Sequence, residues 1–164
     1  MLYYSLGSVA QQRRKYYQQR VLACVMSRWM ALDVGSKTIG IALTDPLNIT
    51  VRPLTTLSRK TVQKDTEHIV SMVQDHEVEK MIVGMPRYLD GTRSDILDVI
   101  EPLVITLRDT LEIPVEWADE SLSTKHAERI MAQVGVPISQ RRNKRNEFSA
   151  AVILQWYLEE SKPT

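Results

Sequence analysis

The chain has 164 residues, 43% of them hydrophobic and 25% charged, and its formal net charge is +1. This is the composition of an ordinary globular domain, and at this net charge any surface that binds nucleic acid must be a local patch. A single cysteine, Cys24, excludes an internal disulfide, and no apolar run approaches the roughly 18 residues that a membrane-spanning helix needs.

The beginning of the chain predicts an arm that is separate from the folded domain. Residues 1–27 carry tyrosines, glutamines and a basic cluster, and they lack the apolar stretch that a secretory signal needs before its cleavage site. They are interpreted as a helical or disordered arm, or as a consequence of the choice of start codon, with Met26 or Met30 as the true start. The folded domain is predicted at 28–160, and 161–164 form a short tail.

Three strands in hairpin succession and one helix are predicted in the first half of the domain. Short apolar runs between turn residues indicate strands, and apolar residues at a spacing of 3.6 indicate a helix. The strands are predicted at 28–34, 38–44 and 49–57, and the helix at 62–76. Pro53 within the third strand indicates an edge strand or a bulge, because proline cannot donate to the ladder of hydrogen bonds.

In the second half, strands and helices alternate. Strands are predicted at 80–84 and 114–118, helices at 94–111, 123–134 and 146–160, and a basic loop at 139–145. Pro102 predicts a kink or a break in the first of these helices. Alternating strands and helices imply a parallel portion of sheet, so the expected fold is α/β: a mixed five-stranded sheet, with antiparallel hairpin strands plus parallel strands, and helices on both faces.

Two carboxylates are expected at one edge of this sheet, where open α/β sheets place their chemistry. Asp33 ends the first strand and Glu120 follows the fifth, and strands one, four and five are expected to run parallel. Asp45 ends an antiparallel strand and is excluded as a co-ligand. Asp33 stands among apolar neighbours, where a charge is costly to bury. Either it binds a metal or a cation, or it is a turn aspartate that accepts N–H groups from 35–37.

A divalent metal fits this pair of carboxylates. Magnesium prefers oxygen ligands and keeps several waters, which leaves room for a phosphate. The last helix offers a third carboxylate in Glu147, with Asn146 directly before it. Asp33, Glu120 and Glu147 are therefore the predicted catalytic residues, and they are predicted to bind Mg²⁺ or Mn²⁺.

A basic run precedes these helix residues. Together with Lys37 in the first turn, its members are predicted to hold the phosphate backbone of nucleic acid: Arg141, Arg142, Lys144 and Arg145. The alternative is that this run is simply a solvated charged surface.

Four motifs in the same order resemble the YqgF family, described as Holliday junction resolvases and as nucleases of pre-16S ribosomal RNA. The opening motif covers 33–45, the second 82–86 with 90–92, the third 119–124 and the fourth 150–155. The resemblance covers about 28–160. It implies a ribonuclease-H-like fold and an acidic triad that binds metal.

Carried onto this sequence, the resemblance places two members of the triad on Asp33 and Glu120. The third position, usually an aspartate, falls on Asn146, which the resemblance therefore implies as a metal ligand. Asparagine offers an oxygen but no charge, which lowers metal affinity unless Glu147 replaces it. Ser121 also departs from the family, which often has arginine there. These departures bear on activity more than on fold.

The expected function is therefore metal-dependent hydrolysis of phosphodiester bonds in structured nucleic acid, foremost the 5′-end processing of pre-16S rRNA in ribosome biogenesis. Two alternatives stay open: resolution of Holliday junctions, and a nucleic-acid-binding module that has lost catalysis. The chain is expected in the cytoplasm, as a monomer or weak homodimer. The opening motif also resembles the phosphate motif of actin and the sugar kinases. Those proteins bind nucleotide between two such domains, and one domain of this length cannot build that cleft.

Overall fold

A computed structural model describes residues 27–85, 96–119, 123–133 and 135–161 of the protein. The predictions for the N-terminal arm before Ser27 and for the last three residues of the chain lie outside these ranges. Within the described part, none of the helices combines the length and the apolar character that crossing a membrane requires.

The core of the fold is a five-stranded mixed sheet, as predicted. Its strands, in chain order, are β1 (Arg28–Val34), β2 (Thr38–Thr44), β3 (Val51–Ser58), β4 (Val78–Met85) and β5 (Val115–Asp119). Their order across the sheet is β3-β2-β1-β4-β5. The strands β1, β4 and β5 run parallel, whereas β2 is antiparallel to both β1 and β3. Pro53 lies in the edge strand β3, opposite Ala42 where the register shifts, so both of its predicted roles are confirmed.

Helices cover both faces of the sheet, as the alternation of elements predicted. They are α1 (Val62–Asp75), α2 (Leu97–Thr110), α3 (Ser123–Gln133) and α4 (Ile138–Glu160). The apolar sides of α1 and α2 pack on one face, through residues such as Ile69 and Leu103. On the other face α4 packs through Ala150, Ile153 and Leu154, and α3 lies against α4.

The two faces of the sheet carry side chains of different size, because successive residues of a strand point to opposite faces. The face under α1 and α2 is built from large side chains, among them Met30, Leu32, Ile39 and Ile41. The face under α4 carries small residues at the centre of the sheet, Ala31 and Ala42, and all of these residues are fully buried. The small residues allow α4 to approach the sheet closely.

A polar cluster fastens the C-terminal half of α4 to the sheet. The Tyr157 hydroxyl donates to Glu116, which also forms an ion pair with Lys80 at 3.1 Å. The Lys80 ammonium group lies 4.9 Å from the centre of the Trp29 ring, and that ring packs edge-on against Tyr157. The Tyr157 and Lys80 hydrogen bonds lower the pKa of Glu116, so its charge is stabilised in the fold.

The predicted basic loop at 139–145 is wrong, because α4 already begins at Ile138. Pro137 stands at the N-cap, and the arginine, lysine and glutamine residues that follow are good helix formers. The basic run is therefore two turns of helix with fixed side-chain directions. Asn146 accordingly lies well inside the last helix and not at its start.

Two further expectations need correction. The break predicted at Pro102 is absent, because α2 continues to Thr110 with buried Leu103, Val104 and Leu107 holding it on the sheet; the alternative, a kink at Pro102, stays a prediction. The third strand begins at Val51 instead of at residue 49.

Candidate active site at the carboxyl edge of the sheet

Asp33 lies at the edge of the sheet where the parallel strands end, as predicted. Leu32 is in register with Val83 of β4, and Val83 is in register with Trp117 of β5. Asp33 is thus one residue beyond a row that crosses all three parallel strands. Asp45 lies beyond the other end of β2, where its carboxylate accepts the N–H groups of residues 49 and 50. It is a turn residue near the opposite edge of the sheet, where the strand directions predicted it.

The side chain of Asp33 faces α4. Ala31, two residues earlier on β1, belongs to the core under α4, and strand residues two apart point to the same face. The cross-strand partner of Asp33 is Gly40 on β2. A Cβ atom on Gly40 would lie 2.0 Å from the carbonyl carbon and oxygen of Asn146 and 2.6 Å from the nitrogen of Glu147. The backbone of α4 therefore rests directly on Gly40, beside Asp33.

The negative charge of the Asp33 carboxylate is poorly compensated by the described residues around it. Asp33 keeps some exposure as a residue, yet burial raises the pKa of its carboxyl group to about 6, and the nearby Ser149 hydroxyl acts in the opposite direction. Ser149 is fully buried, and its Oγ makes no hydrogen bond of normal geometry with the described residues. Buried polar atoms without partners are uncommon in folded proteins, so this pair is a site that can accept a further group.

The turn after Asp33 does not satisfy its carboxylate. The Gly35 N–H donates instead to the carbonyl oxygen of Thr38, at 2.8 Å. Within the described part of the chain, no N–H group of residues 35–37 donates a hydrogen bond to Asp33. The alternative interpretation of Asp33 as a satisfied turn aspartate is therefore not supported.

Asn146 and Glu147 point to different strands, as expected for adjacent helical residues about 100° apart. The Asn146 side-chain nitrogen donates to the Thr38 hydroxyl at 2.6 Å, which places the amide at the start of β2, near Gly35. The Glu147 carboxylate accepts from the Thr56 hydroxyl at 3.3 Å. Asn146 is thus held beside the β1–β2 turn, whereas Glu147 is held on the edge strand β3.

The register shows how far Glu147 is from Asp33. Thr56 pairs with Gly40, and Gly40 pairs with Asp33, so Thr56 is two strands from Asp33, or about 10 Å at the usual strand spacing. The described residues contain no group of three or more acidic, histidine or cysteine side chains at a spacing that would hold a metal. Glu120, the second predicted ligand, lies outside the described residues. The last described residue of β5 is Asp119, in register with Met85.

The basic residues of α4 fall into two groups. Arg141 donates to the carbonyl oxygen of Val136 at 2.9 Å, and Arg145 forms an ion pair with Glu128 of α3 at 3.1 Å. These two fasten the beginning of α4 to the segment before it. Arg142 and Lys144 make no hydrogen bond or ion pair with the described residues. Lys37 is exposed in the β1–β2 turn, four residues after Asp33.

A buried ion pair behind this turn was missed by the sequence analysis. Arg59 donates to Asp65 at 3.4 Å and to the carbonyl oxygens of Gly35 and Val99, both at 3.3 Å. Its own N–H donates to the carbonyl oxygen of Lys37 at 2.9 Å. We call Arg59 and Asp65 the Arg59 clamp, because they tie the turn after Asp33 to both α1 and α2.

The sequence does contain a signal for this pair. Asp65 and Ile69 are four residues apart on α1 and therefore share its buried face. A carboxylate on the buried face of a helix needs a cationic partner.

Comparisons with known proteins agree on the family of this chain. The model of the RuvX family, described as Holliday junction resolvase, matches residues 27–160. A protein of Desulforamulus reducens is 36% identical over 132 residues, which cover 80% of this chain and 96% of that protein. A protein of Syntrophus aciditrophicus is 41% identical over 132 residues, covering 80% of this chain and 88% of its own length. Both are named "Putative pre-16S rRNA nuclease".

A solved structure supports the fold independently of sequence. RuvC of T. thermophilus, in complex with Holliday junction substrate, superposes with a TM-score of 0.56 at 13% identity, and the match covers 82% of this chain and 96% of that chain. At this identity the likeness concerns the fold. The chain therefore belongs to the RuvX family, also called the YqgF family, and has the ribonuclease-H-like fold that its motifs predicted.

Proposed function

We propose that this protein is a metal-dependent nuclease that hydrolyses phosphodiester bonds in structured nucleic acid, and that its reaction is the 5′-end processing of pre-16S rRNA in the cytoplasm. The observation that carries the proposal is the Asp33 carboxyl group, which lies at the carboxyl edge of the sheet with a pKa that burial raises to about 6 and which, among the described residues, has Ser149 alone to favour its charge. A carboxylate in this position destabilises the fold unless a cation binds it. The names of the relatives supply the proposed substrate.

The donor set fits Mg²⁺ or Mn²⁺, which prefer oxygen ligands. Asp33 supplies one carboxylate. The proposed second carboxylate is that of Glu120, which follows Asp119, the last residue of β5, in the sequence. The Asn146 side-chain nitrogen donates a hydrogen bond to the Thr38 hydroxyl. No described residue donates to the Asn146 side-chain oxygen, so this oxygen is the proposed neutral ligand. When bound, such an ion lowers the pKa of water and neutralises charge on a phosphate.

The other polar residues of this edge have separate tasks in the proposed reaction. Lys37, Arg142 and Lys144 bind the phosphates on either side of the cleaved bond. Arg141 and Arg145 support them by fixing the first turns of α4. The Glu147 carboxylate can approach Asp33 only if its hydrogen bond with the Thr56 hydroxyl breaks. Its proposed role as the third catalytic carboxylate depends on that movement.

A binding module without catalysis is the second candidate, and the neutral Asn146 together with the distance of Glu147 from Asp33 favours it. Holliday junction resolution is the third, favoured by the description of the family model. A resolvase acts on a two-fold substrate and would need a dimer, whereas trimming of an RNA end needs one copy. We propose a monomer or a weak homodimer.

The test is cleavage of a labelled pre-16S rRNA fragment and a four-way DNA junction, side by side, with Mn²⁺. The variants are Asp33→Asn and Glu147→Gln. The matched control is Asp45→Asn, which removes a carboxylate at the other end of the sheet and keeps an acceptor for its turn. We expect cleavage of the RNA by the wild type and the control, and none by Asp33→Asn. Loss of cleavage in Glu147→Gln would assign the third carboxylate to Glu147.

Salt-sensitive binding of the RNA without cleavage by the folded wild type would support the binding module instead. Cleavage of the junction alone would support the resolvase.

A further inference from the structure

We propose that Lys37, Lys60 and Lys64 form a second contact for the phosphate backbone of nucleic acid, which we call the lysine edge. It lies on the α1 side of the sheet edge that carries Asp33, whereas the cations of α4 lie on the other side. This inference rests on the proposed function and extends it, because it states which substrates the site accepts.

The three lysines are brought together by the end of β3. Ser58, the last residue of β3, is in register with Thr38, the first residue of β2, so the chain leaves β3 beside the β1–β2 turn. The backbone hydrogen bond from Arg59 to Lys37 continues this contact. Lys60 follows directly, and Lys64 lies in the first turn of α1. All three lysines are exposed.

The charges of these lysines are not neutralised within the described part of the chain. Several other cations there are engaged: Arg28, Arg59, Lys80, Arg108, Arg141 and Arg145. Lys37, Lys60 and Lys64 make no side-chain hydrogen bond or ion pair with the described residues. A set of free cations next to a proposed phosphodiester site is the arrangement that binds a polyphosphate backbone.

A shallow cleft of about 450 Å³ runs between the end of β3 and α1, lined by Ser58, Lys60, Lys64 and His68 among others. Two carboxylates also line it, and both have partners. Asp65 accepts from Arg59 and from the Lys60 N–H, and Glu67 accepts from the Gln63 amide at 3.1 Å. Arg59 offsets the charge of Asp65, whereas the neutral Gln63 amide leaves the charge of Glu67 in place, so Lys60 and Lys64 give this cleft an excess of positive charge over Glu67.

The Arg59 clamp fixes the position of this edge. Arg59 donates to the carbonyl oxygens of Gly35 and Lys37, and the Asp65 carboxylate accepts from the N–H group of Lys60 at 2.9 Å. The backbone from which Lys37 and Lys60 extend is thus tied to the strand that carries Asp33. A binding surface fixed in this way loses little conformational entropy when it binds a ligand.

Phosphate contacts on both sides of Asp33 define the class of substrate. The nucleic acid must continue past the cleaved phosphate in both directions, over α4 on one side and over the lysine edge on the other. A mononucleotide, or an oligonucleotide that ends at the cleaved bond, loses one of the two contacts. The site is therefore built for an internal bond in an extended or double-stranded segment.

The test measures binding of a pre-16S rRNA fragment by the full chain at several salt concentrations without metal. For Lys60→Gln/Lys64→Gln we expect about tenfold weaker binding at low salt and a salt dependence reduced by about two phosphate contacts. The control is Arg52→Gln, an exposed arginine near the other end of β3. Lys60→Arg/Lys64→Arg should keep the wild-type salt dependence. Thermal unfolding checks that all variants are folded.

The outcomes separate this inference from the proposed function. Wild-type binding with an unchanged salt dependence in Lys60→Gln/Lys64→Gln would overturn the lysine edge and leave the nuclease proposal intact. An equal loss in Arg52→Gln would also overturn it, because the effect would then follow net charge and not position. Absence of binding by the folded wild type at low salt would overturn the proposed function itself, and the lysine edge with it.

Discussion

Gly40 lies directly against the backbone of Asn146, so that a Cβ on Gly40 would come within 2.0 Å of the Asn146 carbonyl group. Real Cβ atoms never approach a backbone carbonyl so closely, and this contact sets the distance between β2 and α4. It also sets the position of the proposed site, because Asp33 is the cross-strand partner of Gly40 and Ser149 lies one turn after Asn146.

Gly40→Ala should therefore force α4 away from the sheet. We expect the free energy of unfolding to fall by about 3 kcal/mol, at the upper end of the cost of overpacking, and cleavage to be lost even where the protein is folded. Chemical denaturation measures the first effect, and cleavage at low temperature the second.

The matched control for this change is Gly35→Ala. Its new Cβ would meet its nearest neighbour, the carbonyl oxygen of Thr38, at 3.3 Å, which a small shift relieves. A Gly40→Ala variant as stable as Gly35→Ala would show that α4 is less tightly seated than the structure indicates.

Asp33→Asn should stabilise the metal-free protein at pH 7. Burial raises the pKa of Asp33 from 3.8 to about 6, so between these values the folded state binds more protons than the unfolded state. The contribution of Asp33 to stability is therefore most favourable below its pKa in the unfolded state, and it is lost as the pH rises through its pKa in the folded state. At pH 7 the ionised carboxylate costs up to about 3 kcal/mol, which the neutral amide avoids.

Thermal unfolding of both proteins at pH 5 and pH 7 measures this effect. The advantage of Asp33→Asn should be larger at pH 7 than at pH 5. Addition of Mn²⁺ should raise the melting temperature of the wild type and leave that of the variant unchanged. A variant that is less stable than the wild type at pH 7 would mean that Asp33 has a compensating partner in the metal-free fold.

The Arg59 clamp should contribute strongly to stability. Asp65 is 5% exposed and the Arg59 side chain 9%, so Asp65→Asn leaves a buried guanidinium group without its counter-charge. Removing one partner of a buried pair typically costs about 3–5 kcal/mol. Denaturation of Asp65→Asn should show a loss of this size. Glu67→Gln, an exposed neighbour on α1, should show none, and equal stabilities for the two variants would contradict the clamp.

The strands and the parallel edge could be predicted from the sequence because their signals are local. The apolar runs of β1, β4 and β5, and their separation by helices, suffice to place Asp33 at the carboxyl edge. The beginning of α4 could not be predicted in this way. Residues 139–145 contain no apolar side chain, so no periodicity distinguishes helix from loop there.

The contacts around the site depend on tertiary packing. The sequence predicts Glu147 beside Asp33 because the last helix offers it as a third carboxylate, but α4 lies on Gly40 in an orientation in which Glu147 contacts Thr56. The Arg59 clamp joins Arg59 and Asp65 to Gly35 and Val99, which are 24 and 40 residues from Arg59 in sequence, so only the position of Asp65 on the buried face of α1 can be predicted from the sequence.

Asn146→Asp should strengthen metal binding. Asn146 lies beside the turn that follows Asp33, and its amide nitrogen donates a hydrogen bond to the Thr38 hydroxyl. An aspartate keeps that contact, because the hydroxyl can donate to a carboxylate, and it adds a negative charge to the proposed ligand set. We expect Mn²⁺ affinity to increase about tenfold or more, a gain of about 1.4 kcal/mol, with faster cleavage at limiting metal. Calorimetric titration with Mn²⁺ measures the affinity. Asn143→Asp, which adds the same charge at an exposed position of α4, is the matched control and should leave Mn²⁺ affinity near that of the wild type. An Asn146→Asp protein with unchanged affinity would place the metal away from α4, on Asp33 and the end of β5 alone.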